Sequence, residues 1–391
     1  MGEVSASVDE DCQRKSQMKK TILHVSKYYY PYLGGIETLV KSLAEGMTEY
    51  RNIVVCFATD GKDSTETVNG ITVYRVKVNF SIMSQDVAFG YHRTLKRLME
   101  EYEPQFVHVH CPDPYVYPLV LRTLRSDTKL ILHWHSDILS KGIVYQFVRP
   151  FESAILKRAD LIVATSPNYI HPSSPIYPYK AKVDVVQNGM IAADFDLKEG
   201  DEERIAAIRA RYGNKKLLLF IGRHIPYKGI GWLIDIEKMV KSDCQFIIAG
   251  QGPLTQQLKE KAESPRISFT GRLSTDDLRC YTHAADIFTF TSNTKAEAFG
   301  IALAEAMYCR CVPVVFHIEG SGVNWVSVDG ETGMEVPMGD LKAYADAIDT
   351  LLDNDQLRKQ YAEAAHQRVV DLFTDQQAVK QMERVYQKFR S

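Results

Sequence analysis

Two carboxylates flank a short apolar stretch in the second half of the chain, Glu297 and Glu305, with Phe299-Gly300-Ile301 between them. A strand-like stretch and a polar turn come before them, so the sequence predicts a helix that begins near the Phe-Gly pair. Amides of a first helical turn have no intrahelical partner, and the helix dipole favours negative charge there. Glu305 would lie about 1.5 turns along this helix. The spacing suits an extended ligand with hydroxyls at both ends and a phosphate between them, as in a sugar nucleotide.

A solvated amphipathic helix would also explain two glutamates at this spacing. The residues between them are almost wholly apolar, however, which predicts a largely buried helix. Because buried carboxylates require partners, the sequence favours a binding role for this pair.

Two cations follow the first strand of the second half. Arg223 and Lys228 lie between Gly222 and Gly229, at the C-terminal end of an apolar run. Ligands bind at that edge of an open α/β sheet. An arginine fork and a mobile lysine could hold a diphosphate and offset the charge that develops as it departs. A solvated loop is the alternative, and the agreement with the Glu297 site weakens it.

Other glycines mark weaker candidates. Gly250 and Gly252 also end a predicted strand, where close approach to a nucleotide or a plain tight turn would explain them. Gly34 and Gly35 stand at a predicted helix start, where free amides could meet a phosphate or an acceptor hydroxyl. Four tyrosines precede them and could wall an acceptor site or fill a cleft between domains; they are Tyr28, Tyr29, Tyr30 and Tyr32.

Histidines cluster at strand positions in the first half. His135 follows a predicted strand and could be a metal ligand, a general base or a positioning group. His108, His110, His133 and His135 alternate as they would on adjacent parallel strands. No acidic or cysteine partner has ligand-like spacing, so we expect no metal. Asp194-Phe195-Asp196 resembles a metal-binding D-x-D, but it follows an Asn-Gly turn, which favours a turn or helix cap.

Short apolar strands alternate with amphipathic helical segments throughout, which predicts an α/β fold with parallel sheets and crossover helices. Each half begins with a strand, a glycine-bearing loop and a helix, so we expect two Rossmann-type domains. The predicted strands lie near 21–26, 52–58, 106–110, 129–134, 160–165, 183–186, 216–222, 245–249, 266–269, 286–291 and 312–316.

Composition supports an ordinary globular protein of two domains, with 391 residues, 45% of them hydrophobic and 25% charged. A formal charge of −2 gives no overall attraction to nucleic acid or anionic lipid. Seven scattered cysteines and no signal peptide predict a reducing cytoplasm. No apolar run approaches the length of about 18 residues that a membrane span needs.

Taken together, these stretches resemble the retaining glycosyltransferases of family 4, which have the GT-B fold. The resemblance runs from about Thr21 to the C-terminus and rests on the order and spacing of five motifs. They are Gly34-Gly35-x-Glu37, Asn188-Gly189, Gly222-Arg223-x4-Lys228-Gly229, Gly250-x-Gly252-Pro253 and Glu297-Ala-Phe-Gly-x4-Glu305-Ala-Met.

The resemblance implies two Rossmann-like domains whose parallel sheets face each other across an interdomain cleft. The predicted parts are a flexible tail over 1–19, an acceptor-binding domain over 20–195 and a nucleotide-sugar-binding domain over 196–373. A C-terminal helix over 374–391 would pack back on the N-terminal domain.

The resemblance also implies roles for residues. Arg223 and Lys228 would clamp the diphosphate, and Glu297 would face the donor sugar. Glu305 would hold the ribose hydroxyls, and His135 would face the sugar from the first domain. The other predicted donor-binding residues are Gly34, Gly35, Gly222, Gly250, Gly252, Phe299, Gly300 and Ile301.

The reaction implied is transfer of a hexosyl unit, mannosyl or similar, from a nucleotide diphosphate sugar. The donor would be GDP- or UDP-linked, and the acceptor a hydroxyl of a glycan or lipid-linked saccharide in polysaccharide biosynthesis. Retention without a protein nucleophile implies front-face attack, in which the leaving phosphate accepts the acceptor's proton. No metal or cofactor would be needed, and no covalent intermediate would form.

Basic and aromatic residues mingle between Lys141 and Phe151, and Lys157-Arg158 follow. Monotopic helices that rest on anionic membranes have this composition, and so do core-facing helices with a solvated edge. If the first interpretation holds, the protein makes peripheral contact with the inner face of the cell membrane and meets a lipid-linked acceptor there.

Two positions depart from the family pattern. Arg310 lies in a segment that lacks the usual glycine, and Asn324 stands where an acid is common. Arg310 could add charge near the nucleotide or point to solvent.

Rival functions would use the same pocket. A GT-B epimerase or hydrolase would need further carboxylates at the sugar, and a non-catalytic nucleotide-sugar-binding subunit would not need the intact charged set. A NAD-dependent dehydrogenase is disfavoured because no G-x-G-x-x-G follows the first strand.

Overall fold

A computed structural model describes residues 19–32, 34–82, 85–138 and 142–389. The predicted tail over 1–19 lies outside these ranges except for Lys19, and Lys141 of the basic-aromatic segment also lies outside them. No helix within the described ranges is both long and apolar enough to cross a membrane.

The first sheet has eight strands in the order β10-β9-β8-β7-β1-β2-β4-β3. Strand β1 pairs in parallel with β2 and β7, and β2 pairs in parallel with β4, whereas β3 is antiparallel to β4. A separate hairpin is formed by β5 and β6. The strands are Thr21–Val25 (β1), Arg51–Ala58 (β2), Ser64–Val68 (β3), Ile71–Lys77 (β4), Phe80–Ile82 (β5), Gln85–Val87 (β6), Phe106–Cys111 (β7), Lys129–Trp134 (β8), Leu161–Ala164 (β9) and Val183–Val185 (β10).

Helices alternate with these strands as the crossover pattern predicts. Buried apolar side chains line one face of the first helix, which packs against β2. The helices are Gly35–Gly46 (α1), Tyr91–Tyr102 (α2), Val116–Thr123 (α3) and Ile143–Arg158 (α4).

The second sheet has six strands in the order β13-β12-β11-β14-β15-β16, and all of its pairings are parallel. Its central strands are buried along most of their length, as a sheet covered on both faces requires. The strands are Lys216–Ile221 (β11), Cys244–Ala249 (β12), Ile267–Gly271 (β13), Ile287–Phe290 (β14), Val312–Phe316 (β15) and Met334–Val336 (β16).

One contiguous cluster of apolar side chains fills the core around this second sheet. Two of the helices that contribute to it precede the first strand of the sheet, and the others alternate with or follow its strands, as in a doubly wound fold. They are Ala192–Phe195 (α5), Asp201–Arg211 (α6), Ile230–Glu237 (α7), Thr255–Lys261 (α8), Thr275–Ala284 (α9), Ile301–Tyr308 (α10), Val323–Val326 (α11), Leu341–Asp353 (α12) and Asp355–Leu372 (α13). The last helix, Asp375–Gln387 (α14), contributes no residue to this cluster among the described residues.

The chain forms two compact units. The first comprises Met1–His133 with Ser140–Ile162, and the second comprises Trp134–Leu139 with Val163–Ser391. The short segment that carries His135 therefore belongs to the second unit. The domain limits given by the sequence, and the packing of the last helix on the first domain, stay predictions.

Within the second unit, the segment before its sheet is joined to the segment after it. The Met190 N–H donates to the Phe373 carbonyl at 2.8 Å, and the Asp375 N–H donates to the Met190 carbonyl at 2.8 Å. Gly189 of the predicted Asn-Gly turn lies against this junction, where an added Cβ would be 2.6 Å from the Asp375 Cα. Its glycine is thus required by packing.

The α/β prediction is confirmed, and every predicted strand is present. Five strands were missed, namely β3, β4, β5, β6 and β16. Most of them are short or exposed, and β3 has the polar sequence Ser-Thr-Glu-Thr-Val at the edge of its sheet. Such strands lack the apolar run that identified the others.

Candidate active site

The loop after β11 carries Arg223 and is joined to the loop after β12. The Gly222 N–H donates to the Ala249 carbonyl at 3.1 Å, and the His224 N–H donates to the Gln251 carbonyl at 3.2 Å. These bonds continue the pairing of the two strands beyond their ends. The backbone that presents Arg223 is therefore fixed by its neighbour.

Glycines make this junction possible. A Cβ atom at Gly252 would lie 2.6 Å from the carbonyl oxygen of His224, and one at Gly250 would overlap the carbonyl oxygen of Gly222. Gly250 also has a φ of +118°, which side chains rarely adopt. The sequence left two explanations for these glycines, nucleotide approach and a tight turn. The structure adds a third, which is the packing of one loop on the other.

A second junction fixes Lys228. Gly229 has a φ of +66°, and a Cβ there would overlap the Thr291 carbonyl oxygen. The Thr291 hydroxyl donates to the Lys228 carbonyl at 2.9 Å, and the Asn293 N–H donates to the Tyr227 carbonyl at 2.9 Å. The turn that bears Lys228 thus rests directly on the chain leaving β14.

This junction brings Lys228 and Glu297 together as an ion pair. Their side chains are only 13% and 11% exposed. The Ser292 hydroxyl donates to the same Glu297 carboxylate at 2.9 Å, and the Lys228 ammonium lies 5.4 Å from the centre of the Phe290 ring. Burial alone would lower the pKa of Lys228, but the charge of Glu297, the neighbouring Tyr227 and the hydrogen bond to Glu297 together outweigh burial and raise that pKa. Lys228 is therefore a fixed cation.

Arg223 differs from Lys228 in its surroundings. Its side chain is exposed, and among the described residues it makes no hydrogen bond or ion pair. A guanidinium without an internal partner remains available to phosphate oxygens. The loop thus offers one buried, paired cation and one exposed, unpaired cation.

Helix α10 begins at Ile301, slightly later than the Phe299-Gly300 start that the sequence predicted. Gly300 is its N-cap, with a φ of +89° and no capping side chain. Phe299 is 2% exposed and packs edge-on against Phe373, with ring centres 5.4 Å apart. Among the described residues no side chain caps this helix start with a hydrogen bond, so its first amides can donate to an anion or a hydroxyl oxygen.

Glu305 is the fifth residue of α10. Burial, with a smaller contribution from the charge of Asp194, raises its pKa to about 7. Within the part of the chain that the structure describes, its carboxylate makes no hydrogen bond or ion pair. A carboxylate shielded from water and without hydrogen bonds inside the protein can accept hydrogen bonds from the hydroxyl groups of a ligand.

His135 and Asp137 lie in the segment after β8. His135 is 4% exposed, and burial lowers its pKa to about 3, so the imidazole is neutral. Asp137 is paired with Lys295 of the Glu297 loop, with 2.7 Å between the ammonium nitrogen and a carboxylate oxygen. This pair was not predicted from the sequence. The sequence feature that could have indicated it is a lysine two residues before Glu297.

In the first unit, α1 begins at Gly35 with Gly34 as an extended N-cap. An added Cβ at Gly34 would overlap the Glu37 carboxylate, which folds back over the helix start. Burial raises the pKa of Glu37. The amides predicted to meet a phosphate or hydroxyl therefore have a carboxylate of their own chain beside them.

The four tyrosines of the preceding loop do not act as one group. Tyr29 is fully buried in the core of the first unit. Tyr28 donates a short hydrogen bond to Asp86 and packs on Tyr32 with ring centres 4.4 Å apart. Tyr30 and Tyr32 are 40% and 45% exposed. Tyr30 and Tyr32 are thus the members of this group with exposed rings, and a role in walling an acceptor site stays a prediction.

Buried histidines of the first unit stack on one another. The ring centres of His108 and His110 are 4.4 Å apart, and those of His108 and His133 are 5.4 Å apart. His24 joins them through His110, with 3.2 Å between Nδ1 and Nε2, and burial lowers its pKa to about 4. Ligand atoms of His24, His108 and His110 lie within 4.8 Å of one another, the size of a metal site.

The spacing of these rings would fit a metal ion, but the orientation of their planes would not. The planes of His24 and His110 are 20° apart, and those of His108 and His110 are 25° apart. Lone pairs of stacked imidazoles lie in nearly parallel planes and do not converge on one point. We interpret the cluster as a hydrogen-bonded core, and the expectation of no metal stays a prediction.

Both departures from the family pattern have structural partners. Arg310 pairs with Glu363 on α13 at 2.8 Å and is half exposed. The Asn324 amide nitrogen donates to the Phe316 carbonyl at 3.1 Å, and its oxygen accepts from the Ile318 N–H at 2.8 Å. Both residues therefore make contacts that stabilise the fold.

Two family models of sugar-transferring enzymes match the chain. The model of glycosyl transferases group 1 matches residues 201–368, and that of glycosyltransferase family 4 matches residues 33–192. The chain belongs to this family of glycosyltransferases.

Curated relatives match over nearly their whole length. The chain is 29% identical over 361 residues to O-antigen chain mannosyltransferase C of Escherichia coli, covering 90% of this chain and 94% of the relative. It is 28% identical over 360 residues to the D-rhamnosyltransferase WbpZ of Pseudomonas aeruginosa, covering 90% of this chain and 92% of the relative.

Solved structures share the fold. A sucrose-phosphate synthase of Thermosynechococcus elongatus superposes with a TM-score of 0.78 at 20% identity, over 95% of this chain and 99% of that chain. Anabaena HepE, solved in complex with UDP, gives 0.73 at 19% identity, over 94% and 100%. The predicted GT-B fold is confirmed.

Proposed function

We propose that the chain transfers a mannosyl or closely related hexosyl unit from a nucleotide diphosphate sugar to a hydroxyl of a glycan or lipid-linked saccharide. The observation that carries this proposal is the Lys228–Glu297 pair, buried beside the uncapped start of α10. The type of sugar is inferred from the two relatives, which are a mannosyltransferase and a rhamnosyltransferase. A GDP- or UDP-linked donor fits the same site.

The charges of the second unit can be assigned to parts of the donor. Arg223 and Lys228 would meet the diphosphate, and the first amides of α10 would add the helix dipole. Glu305 would accept hydrogen bonds from ribose hydroxyls, and Glu297 from hydroxyls of the sugar. His135, being neutral, can both donate and accept a hydrogen bond at the sugar.

In the proposed reaction, the bond between the anomeric carbon and the departing phosphate oxygen breaks as the acceptor hydroxyl attacks from the same face. That phosphate oxygen takes the proton of the hydroxyl, and the anomeric configuration is retained. The protein contributes position and charge stabilisation, because two cations offset the growing negative charge of the diphosphate. No metal, covalent intermediate or protein base is required.

Nucleotide binding tests this proposal first. A panel of nucleoside diphosphates and their sugar forms is titrated by calorimetry with and without EDTA. We expect one base series to bind selectively, with the same dissociation constant in both conditions. If no member binds, or if binding requires a metal, the donor assignment is wrong.

Product analysis tests the stereochemistry. Incubation with the donor that binds and a saccharide acceptor should give a glycoside with the donor's anomeric configuration, read by proton NMR coupling. An inverted product would exclude the front-face reaction. Release of free sugar, or an epimerised donor, in place of a glycoside would favour the rival hydrolase or epimerase.

Membrane contact is a further part of the proposal. On α4, Phe147 is 73% exposed and Phe151, one turn later, is 46% exposed, while Ile155 is buried. Lys157 and Arg158 end the helix. An exposed aromatic face beside basic residues is typical of helices that lie on anionic membranes. The alternative, a core-facing helix with a solvated edge, would explain the buried Ile155 and the basic residues, and the two exposed phenylalanines support the membrane contact.

Vesicle sedimentation tests this contact. The wild-type chain should sediment with vesicles that contain anionic lipid and remain in solution with neutral ones. A Phe147→Ser, Phe151→Ser double variant should lose the association while turnover of a short soluble acceptor is unchanged. Equal sedimentation of the two proteins would exclude this face as the contact.

A further inference from the structure

Lys295 lies in the loop that carries Glu297 and is held by three acceptors. Its ammonium group donates to the Asp137 carboxylate at 2.7 Å, and to the Ser173 hydroxyl and carbonyl at 2.9 Å and 3.1 Å. An ammonium group has three N–H donors, and these contacts use all of them. Lys295 therefore has one well-defined position, and little capacity remains for contact with a substrate.

Its partner is a rigid anchor. The Asp137 side chain is only 3% exposed. Its second carboxylate oxygen accepts from the Trp134 indole at 2.9 Å and from the Ser174 hydroxyl at 3.2 Å, and its N–H donates to the Tyr169 hydroxyl at 2.7 Å. A buried carboxylate with this many partners is costly to move.

The pair joins two segments that carry proposed sugar-facing groups. Asp137 follows His135 by two residues, and Lys295 precedes Glu297 by two residues. All four residues belong to the second unit. Because two residues of chain allow little independent movement, the distance fixed between Lys295 and Asp137 limits where the carboxylate and the imidazole can lie.

We propose that Lys295 is a positioning residue of sugar transfer. Acting through Asp137, it holds the loop that carries Glu297 against the segment that carries His135, so that both groups address the same donor sugar. The proposal rests on the proposed function and refines it. Lys295 touches neither the diphosphate nor the reacting atoms.

The stability of the fold does not depend on this contact alone. The carbonyl of Glu297 accepts a short hydrogen bond from the Ser321 hydroxyl, and the Gly322 N–H donates to the Ala298 carbonyl at 3.0 Å. These bonds hold the loop when Lys295 is removed. The expected consequence of removal is a small displacement, which affects the chemical step more than folding.

The test uses Lys295→Met in the full chain. We expect kcat to fall by roughly 10- to 100-fold, because small misplacement of reacting groups has effects of that size. The dissociation constant of the plain nucleoside diphosphate should stay within about threefold of wild type, whereas the extra affinity of the sugar form over the diphosphate should be lost. Calorimetry and steady-state kinetics measure these quantities.

Lys261→Met is the matched control. Lys261 also pairs with an aspartate of the second unit, Asp235, at 2.6 Å, and also donates to a backbone carbonyl. It lies outside the proposed site, so its removal should leave kcat and both dissociation constants unchanged. Lys295→Arg should recover part of the lost kcat, since it keeps a cation opposite Asp137.

A double variant separates positioning from general damage. If Lys295 acts through Asp137, the Lys295→Met, Asp137→Asn double variant should be no slower than the slower single variant. Additive losses would overturn the proposal, and so would a Lys295→Met enzyme with wild-type kcat and sugar affinity. If the wild-type chain itself binds no sugar nucleotide, the proposed function fails instead.

Discussion

The charged loops of the second unit and the tyrosine loop of the first unit fix their residues by different means. Residues 222–229 rest on the loops after β12 and β14 through backbone contacts that only glycine permits. Residues 27–32 place two tyrosine rings in solvent, at 40% and 45% exposure. The first region is shaped before any ligand arrives, whereas the second presents adaptable aromatic surface.

Under the proposed function, the two regions would recognise different substrates. A diphosphate is the same in every donor, so a site for it gains from rigid backbone and fixed charge. An acceptor glycan varies among related enzymes, and exposed aromatic rings can stack on different sugars with little rearrangement. The proposed function therefore assigns the rigid region to the constant part of the donor.

The largest effect is expected at the buried ion pair. Lys228→Ala or Glu297→Ala should lower kcat/KM by roughly 10³-fold or more, because each removes a preorganised charge at the reacting centre. Circular dichroism should show an intact fold. Glu263→Ala, on an exposed loop residue, is a control that should keep wild-type turnover. Near-normal activity of either site variant would show that the pair is not catalytic.

The next effect concerns the glycine junction. Gly250→Ala should destabilise the fold by about 3 kcal/mol or more and weaken nucleotide binding, because the new methyl group would overlap the Gly222 carbonyl. Gly213→Ala is the matched control, since Gly213 also has a positive φ but open space around its Cα. Thermal unfolding compares them. Equal losses of stability would mean that φ alone, and not the loop contact, explains Gly250.

A smaller effect follows from the pKa of Glu305, which burial raises to about 7. Ribose hydroxyls should bind the ionised carboxylate, so nucleotide affinity should rise by up to roughly tenfold between pH 6 and pH 8. Calorimetry across this range measures it. Glu305→Gln should remove the pH dependence and keep the lower affinity, and a variant with an unchanged pH profile would disconnect Glu305 from the ribose.

The same carboxyl affects the stability of the free protein in the opposite direction. Its folded pKa lies above the usual unfolded value, so the native state binds more protons between roughly pH 4.5 and 7. The contribution of Glu305 to stability is present below that window and is lost as pH rises through it. Glu305→Gln should flatten this part of the stability curve.

The smallest effect is expected in the tyrosine loop. Tyr32→Ala should raise the acceptor KM a few-fold, about the effect of one stacking contact, while the donor KM is unchanged. Tyr29→Ala is the contrasting variant, because Tyr29 is buried and its loss should lower stability instead. A rise in donor KM for Tyr32→Ala would contradict the assignment of the donor to the second unit and the acceptor to the tyrosine loop.

The sequence predicted the strands and the charged motifs because both leave local signals. Apolar runs mark buried parallel strands, and a cation or acid beside glycine at a strand end marks a ligand edge. Lys228 and Glu297 were each found this way. Their direct pairing was not predicted, since it depends on Gly229 and Thr291 bringing β11 and β14 loops into backbone contact.

Contacts between distant segments explain the remaining omissions. Asp137 and Lys295 are separated by much of the chain and have no shared motif. Gly250 and Gly252 looked like a nucleotide motif, although neighbouring backbone is what excludes their side chains. The tyrosines formed one run in sequence, yet burial divided them. Local pattern shows which residues are unusual, and tertiary packing decides what each of them touches.

The bonds of Met190 with Phe373 and Asp375 have a consequence for biosynthesis. As the chain leaves the ribosome, Met190 appears long before its partners, and its buried backbone groups cannot be satisfied until residue 375 has followed. The second unit therefore completes its core late, whereas the strands of the first sheet are available early. A nascent chain halted before that point would expose unpaired backbone next to an apolar core, the kind of surface that chaperones bind.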